Sequence, residues 1–312
     1  MKIVCLDIES LGPVPNLSLF QKYGEVVYFD NTEPEEVIDR IGTAEIIVTN
    51  KVRINRTIMD ACPRLRLICV AATGMNTIDL EAAAEKGIQV KNVSGYSTQS
   101  VTQITFAVLL SLMCKIEYFD RFVRSGDYAK SRSFTHYGRV FGELADKQFG
   151  IIGLGAIGNR VAEVAAAFGA HPVYNSTSGK NLNAGYPHME LDVLLRTSDV
   201  VSIHAPLDKN TQNLIDYKRI CLMKPTAYLL NMGRGNIINE ADLARALDEE
   251  RIAGAGLDVH SYEPIKADNP LLFIKNRERL IQTPHIAWIS NEARTLLVEK
   301  VAENIRNFVE SA

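Results

Sequence analysis

One stretch, Phe149-Gly150-Ile151-Ile152-Gly153-Leu154-Gly155-Ala156-Ile157-Gly158, sets the tightest limit on how this chain can fold. A short apolar run ends in Gly-x-Gly-x-x-Gly, and apolar residues then recur at helical spacing through Val161, Val164, Ala165 and Phe168. The pattern predicts a strand, a tight turn and a helix. Gly153 permits the turn, Gly155 lets the backbone approach a pyrophosphate, and Gly158 lets helix and strand pack closely. The helix opening at Ala156 and Ile157 offers free N–H groups and a positive dipole end to phosphates. A glycine triplet alone fits any βα turn, but here a second short strand, Pro172–Asn175, follows where a dinucleotide site needs one.

The end of that second strand departs from the usual pattern. A site for NAD carries Asp or Glu there to accept hydrogen bonds from the adenosine ribose. This chain has Asn175, then Ser176-Thr177-Ser178-Gly179-Lys180, with hydroxyl donors, one cation and no carboxylate. An acid would repel a 2′-phosphate, whereas this loop can hydrogen-bond and partly neutralise one. The charge pattern therefore favours NADP over NAD. If the loop is simply solvated, Asn175 still bonds the ribose and both cofactors are accepted.

With 312 residues, 46% of them hydrophobic and 23% charged, the chain is long enough for two domains with ordinary cores. A net charge of −3 gives no electrostatic reason to expect nucleic acid or an anionic membrane as partner. The start, Met1-Lys2-Ile3-Val4-Cys5-Leu6-Asp7, meets an acid too early for a signal peptide, and no apolar run reaches membrane-spanning length. The five cysteines, Cys5, Cys62, Cys69, Cys114 and Cys221, lie mostly in apolar runs without C-x-x-C spacing. Together these features predict a soluble, cytoplasmic protein with buried thiols, no disulfides and no metal site.

Along residues 1–98, strands are expected over Lys2–Leu6, Val26–Phe29, Glu45–Val48, Leu67–Val70 and Ile88–Val93. Helices are expected over Pro34–Arg40, Thr57–Ala61 and Leu80–Lys86. The alternation implies a parallel sheet covered on both faces. The apolar stretch Val101 to Phe119 reads as one helix buried almost all round, and the chain closes on a helix over Asn291–Val309.

The segments Thr73-Gly74-Met75-Asn76-Thr77-Ile78-Asp79-Leu80, Gly87-Ile88, Asn92-Val93 and Gly95-Tyr96-Ser97-Thr98-Gln99-Ser100-Val101 resemble the D-isomer-specific 2-hydroxyacid dehydrogenases. The likeness is greatest to their glycerate dehydrogenase (hydroxypyruvate reductase) branch and covers nearly the whole chain. It implies an α/β protein of two doubly wound parallel sheets. A Rossmann dinucleotide-binding domain, 99–285, is then inserted into a flavodoxin-like substrate domain, 1–98 plus 286–312. It also implies that the backbone N–H groups at Thr73 and Gly74 receive the substrate carboxylate, a turn geometry that suits an anion. The family exchanges the region around Val101–Phe119 and Ser131–Leu144 between subunits, which implies a homodimer. Thr102-Gln103 departs from the family's usual Ala followed by an acid.

Past the glycine motif, Asp199–Leu207 reads as a buried strand ending in His204-Ala205-Pro206, with Thr211 just beyond. The resemblance places this segment against the adenine ribose and pyrophosphate, and a lone strand-end histidine is assigned to cofactor packing rather than catalysis. Next, Ala227–Asn231 delivers Met232-Gly233-Arg234-Gly235. A guanidinium there, at a strand's carboxyl end, can grip a planar 2-keto carboxylate by two parallel hydrogen bonds. The small-residue run Ala253–Leu257 suits close approach to a nicotinamide, and Asp258 at its end can accept from the carboxamide. In the resembling family Arg234, Glu263 and His285 correspond to the catalytic arginine, glutamate and histidine. His285 would give the carbonyl oxygen its proton as hydride arrives from the cofactor. Glu263, bonded to the other ring nitrogen, would favour the charged imidazole. Trp288 would narrow the pocket toward small 2-keto acids such as hydroxypyruvate or glyoxylate, or else serve as an interface aromatic.

Two other readings stay open on the sequence. Relatives of this fold include dinucleotide-sensing binding proteins, which need no proton donor; formate dehydrogenase would not need the Glu263 and His285 pair. A phosphoglycerate substrate is disfavoured because no regulatory domain follows the last helix.

Overall fold

The computed structural model describes residues 1–182 and 185–311. Ala312, the last residue of the expected substrate domain, lies outside them. The chain divides into two compact units, Met1–Ser97 with Trp288–Ala312, and Thr98–Ala287.

The first unit carries β1 (Lys2–Cys5), β2 (Glu25–Tyr28), β3 (Ile46–Thr49), β4 (Leu67–Val70) and β5 (Gln89–Lys91). Between them run α1 (Val37–Ile41), α2 (Arg56–Ala61) and α3 (Leu80–Glu85). All pairings are parallel, in the order β2-β1-β3-β4-β5. Because side chains alternate along a strand, Ile3, Cys5, Ile46, Val48 and Leu67 face one layer, with Leu297, Val301 and Ile305 of the C-terminal helix. Val4, Ile47, Ile68 and Val70 face the other, with Ile41, Met59 and Ala82. Both faces are covered, as near-continuous apolar strands require.

The second unit opens with α4 (Thr98–Cys114) and α5 (Ile116–Arg124). The expectation of a single helix over Val101–Phe119 is corrected here. Lys115 has φ 53°, in the left-handed region, where the i to i−4 ladder cannot continue, and the two helices meet at 63°. Packing explains the division: Phe106, Leu109 and Leu112 of α4 enter the core, at about 1.5–3 kcal/mol for each fully buried side chain, while α5 buries no residue. Thr102 is buried, and its hydroxyl donates to the Thr98 carbonyl of its own helix; Gln103 is exposed, and nothing in the structure explains that departure. No single helix among the described residues is long and apolar enough to cross a membrane; α4 and α5 reach that composition only as the bent pair.

Then follow β6 (Gln148–Ile152), α6 (Ala156–Ala167), β7 (His171–Asn175), α7 (Leu191–Thr197), β8 (Val200–Ile203) and α8 (Tyr217–Ile220). The unit continues through β9 (Tyr228–Asn231), α9 (Glu240–Asp248), β10 (Gly254–Leu257) and β11 (Leu280–Gln282). The sheet is parallel throughout, ordered β11-β10-β9-β8-β6-β7. Outside β7, His188 makes one parallel bridge to Tyr174. Counting that bridge as a shrunken third strand turns the order into 3-2-1-4-5-6 with one strand added, the dinucleotide-binding arrangement. Its switch point lies between β6 and β8.

Candidate active site at the carboxyl edge of the second sheet

Parallel strands end on the same side, so the loops after β6, β7, β8, β9, β10 and β11 share one edge. At the switch point Gly153 has φ 92°, and a Cβ there would stand 2.8 Å from the Cα and nitrogen of Ala205. The loops after β6 and β8 thus touch through backbone. A Cβ at Gly158 would overlap the Gly153 carbonyl, whereas one at Gly155 would meet nothing within 4 Å. The three glycines therefore serve turn, packing and open approach separately. The open approach faces the start of α6, whose N-cap is Gly155.

Asn175 is buried, and its Nδ2 donates to the Met189 carbonyl at 2.9 Å. The loop beyond it is built by hydroxyl acceptors: Ser176 Oγ takes the Asn181 N–H and Ser178 Oγ takes the Lys180 N–H, both at 3.3 Å. A hydroxyl that accepts still has its own hydrogen to donate, so both remain able to bind an anion. Lys180 is exposed and makes no ion pair among the described residues. Asn181, which the sequence reading did not single out, donates to the Leu154 carbonyl at 2.9 Å and ties this loop to the glycine loop.

His204 bonds Ser202 Oγ through Nε2 at 2.8 Å, while its Nδ1 is buried without a hydrogen-bond partner among the described residues. Burial pushes its pKa down to about 3, so it stays neutral at working pH. That removes it as a proton donor and leaves one enclosed polar nitrogen next to the switch point. Thr211 donates its hydroxyl to the Pro206 carbonyl at 2.7 Å and so shapes the loop that follows Ala205.

After β9 the chain turns tightly. Asn231, almost fully buried, accepts the Gly233 N–H at 3.0 Å and donates to the Arg234 carbonyl at 2.9 Å. A Cβ at Gly233 would lie 2.9 Å from the Ala205 carbonyl. Met232 is buried beneath the turn. Arg234 Nη1 donates back to the Gly233 carbonyl at 2.8 Å, which leaves the remaining guanidinium donors for a ligand.

The loops after β10 and β11 meet in a hydrogen bond. His285 Nδ1 stands 2.8 Å from Glu263 Oε2, with side chains 25% and 35% exposed, so the pair is wet enough to exchange protons and enclosed enough to be held. Glu263 Oε1 accepts the His260 N–H at 3.0 Å. His285 has φ 55°, a left-handed conformation that costs a non-glycine residue about 1–2 kcal/mol. Asp258 supports it. Its carbonyl takes the His285 N–H, and its carboxylate takes Thr283 Oγ1 at 2.7 Å, Ile286 N at 2.8 Å and Ala287 N at 2.9 Å. Burial raises the Asp258 pKa above the usual carboxylate range against the pull of these three bonds. Three acceptor sites are in use, and a carboxylate has about four, so one remains for a carboxamide.

Thr73, Gly74 and Trp288 belong to the first unit. Thr73 Oγ1 donates to the Val93 carbonyl and Asn92 Nδ2 to the Thr73 carbonyl, fixing the turn after β4. Trp288 packs on that unit's core, edge-on to Tyr96 at 6.3 Å between ring centres.

An open cavity of about 790 Å³ lies at the opposite edge of the second sheet, where Lys147, Asp199, Thr226, Ala253 and Arg279 precede their strands. Its charges are already matched in part, Arg139 with Glu278 and Arg279 with Glu250. It contains none of Arg234, Glu263 and His285.

With this geometry in view, the comparisons are specific. Residues 106–287 match the family described as D-isomer specific 2-hydroxyacid dehydrogenase, NAD binding domain. A hydroxypyruvate reductase of Blautia hydrogenotrophica is 38% identical over 100% of this chain and 98% of its own. A glycerate dehydrogenase of Methylorubrum extorquens is 35% identical over 99% of this chain and 96% of its own. Among solved structures, an acyclic imino acid reductase in complex with NADPH and D-Arg superposes with a TM-score of 0.88 at 30% identity, covering 100% of this chain and 98% of that one.

Proposed function

Because this chain belongs to the D-isomer-specific 2-hydroxyacid dehydrogenases, we propose that it reduces hydroxypyruvate or glyoxylate to the D-2-hydroxy acid, using NADPH in preference to NADH. The observation that carries the reading is the 2.8 Å contact between Glu263 and His285 on the sheet edge that also bears Arg234. A relative named hydroxypyruvate reductase and another named glycerate dehydrogenase support the substrate class.

The residues present fit a nicotinamide dinucleotide. Gly153, Gly155 and Gly158 with Ala156 and Ile157 would hold the pyrophosphate, and the open side of Gly155 leaves room for it. Asn175, Ser176 and Lys180 would hold the adenosine end, His204, Ala205, Pro206, Thr211, Met232 and Gly233 would line the middle, and Asp258 would take the carboxamide. When bound, the cofactor supplies the hydride. The protein does the rest. Arg234 holds the keto acid's carboxylate and stabilises charge developing on the carbonyl oxygen. His285 delivers a proton to that oxygen. Glu263 keeps the imidazole oriented and favours its charged form.

The preference for NADPH rests on the two hydroxyls that remain free to donate and on Lys180, with no acid in the loop. The proposed assembly is a homodimer, which would cover Phe134, Tyr137 and Val140, exposed at 90%, 77% and 82%. The test is the initial rate of NADPH and NADH oxidation with hydroxypyruvate, glyoxylate and pyruvate, on protein whose size has been measured. Turnover of the first two with NADPH, at the size of two chains, is the expected result. Tight cofactor binding without turnover of any keto acid would instead favour a dinucleotide-sensing protein.

A further inference from the structure

Behind the Glu263 and His285 pair lies a second acid and imidazole that no motif singles out. Glu240 is the first residue of α9, and its side chain is only 11% exposed. The side chain of His260 is 7% exposed, with Nδ1 at 3.7 Å from Glu240 Oε1, too far for a hydrogen bond but close enough for an ion pair when protonated. Glu240 Oε1 accepts the Ser261 N–H at 2.7 Å, and Oε2 accepts Asn269 Nδ2 at 2.7 Å. Both oxygens are thus spent on the segment that carries Glu263.

The connection runs on without a gap. Glu240 fixes Ser261; the neighbouring His260 N–H holds Glu263 Oε1 at 3.0 Å; Glu263 Oε2 meets His285 Nδ1 at 2.8 Å. On its other side the segment rests against Gly235, where a Cβ would overlap the His260 carbonyl and the Ser261 nitrogen. The turn bearing Arg234 and the loop bearing Glu263 therefore share a backbone contact.

An acid in the first turn of a helix usually needs no such explanation, since it favours the dipole from an exposed position. Burial changes the argument. An enclosed carboxylate is costly unless fully hydrogen-bonded, and here one bond comes from Ser261 in the loop bearing Glu263 and the other from Asn269 just beyond it. Burial pushes the Glu240 pKa up, but the nearby His260 imidazole and the bonds from Ser261 and Asn269 outweigh it and leave the carboxyl below its usual value, hence ionised.

We propose that Glu240 is a positioning residue for the reduction, holding the Asp258–Pro264 loop so that Glu263 is divided between the His260 N–H and His285. The inference rests on the proton-transfer reading of His285. Two conservative variants test it. Glu240→Gln keeps an oxygen at the Ser261 N–H while losing the charge; Glu240→Asp keeps the charge but is one methylene too short to reach both partners. Positioning predicts kcat within about threefold of the parent for Gln and about tenfold lower for Asp, with NADPH affinity by fluorescence titration unchanged in both. A more active Asp than Gln variant, or a loss appearing in cofactor affinity instead of kcat, would overturn the proposal. His285→Ala, assayed alongside, separates the two claims. If that variant keeps its turnover, the proton-transfer reading fails and this inference with it. If it is inactive while Glu240→Asp turns over like the parent, only the positioning role of Glu240 is refuted.

Discussion

Replacing His285 by alanine should lower the turnover of keto acid reduction by about two to four orders of magnitude, with NADPH affinity unchanged. The substitution adds no new backbone strain, because histidine at φ 55° already bears the penalty of the left-handed region, and Asp258 continues to hold the turn through backbone N–H groups. What is lost is the proposed proton source. Neither His204 nor His260 can replace it: His204 is kept neutral by burial, and His260 is enclosed behind Glu263. The alanine variant therefore isolates chemistry from folding. If it retained more than about a tenth of the parent turnover, the donor would have to be sought elsewhere.

Arg234→Lys is the second large effect, about 10²–10³ in kcat/KM. The turn itself should survive, since Asn231 bonds only the backbone of residues 233 and 234. Lysine keeps the charge, but it cannot offer a fork of parallel N–H donors or reproduce the Nη1 bond to the Gly233 carbonyl while still reaching a ligand. Both the grip on a carboxylate and the stabilisation of a developing alkoxide depend on that fork. KM for the keto acid should rise and kcat should fall. A lysine variant with parent-like kinetics would mean that Arg234 contributes only charge.

Much of this architecture is legible in the chain because it is local. Buried parallel strands appear as short apolar runs, and the glycine loop announces its own turn, so the strands expected from the sequence lie within a residue or two of those observed, whereas β11, only three residues long, is not among the expected ones. The break at Lys115 was not legible: Val101 to Phe119 is apolar throughout, and only packing decides that α4 is enclosed and α5 is not. Nor could the residues show that the third strand shrinks to one bridge at His188. Asn175 is expected at the end of the second strand, bonding the ribose; the structure places it there, buried, and commits its amide to the Met189 carbonyl, a tertiary partner that the chain does not show.

The candidate site divides along the same line. Arg234, Glu263 and His285 could be named from residue type, strand-end position and family resemblance. Their meeting depends on the pairing of β10 with β11, in which Leu257 lies beside Gln282 and brings residues 22 apart in sequence into contact. The supports were invisible. Asp258 reads as a cofactor ligand, and nothing in the chain shows that its carboxylate also holds the His285 turn. Glu240 reads as an ordinary first-turn acid, since its partners Ser261 and Asn269 lie 21 and 29 residues further on. Supporting groups are fixed by tertiary placement, which a motif does not encode.

The most direct test of the central claim compares the pH dependence of keto acid reduction in the parent protein and in Glu263→Gln. In the proposed mechanism reduction needs the imidazolium, so it is present at low pH and falls off as pH rises. The Glu263 carboxylate, 2.8 Å away, favours that charged form, and glutamine keeps a similar shape while removing the charge. The fall-off should therefore move to lower pH. A profile that coincides with the parent's would contradict the account, because it would mean that Glu263 and His285 touch without acting on one proton.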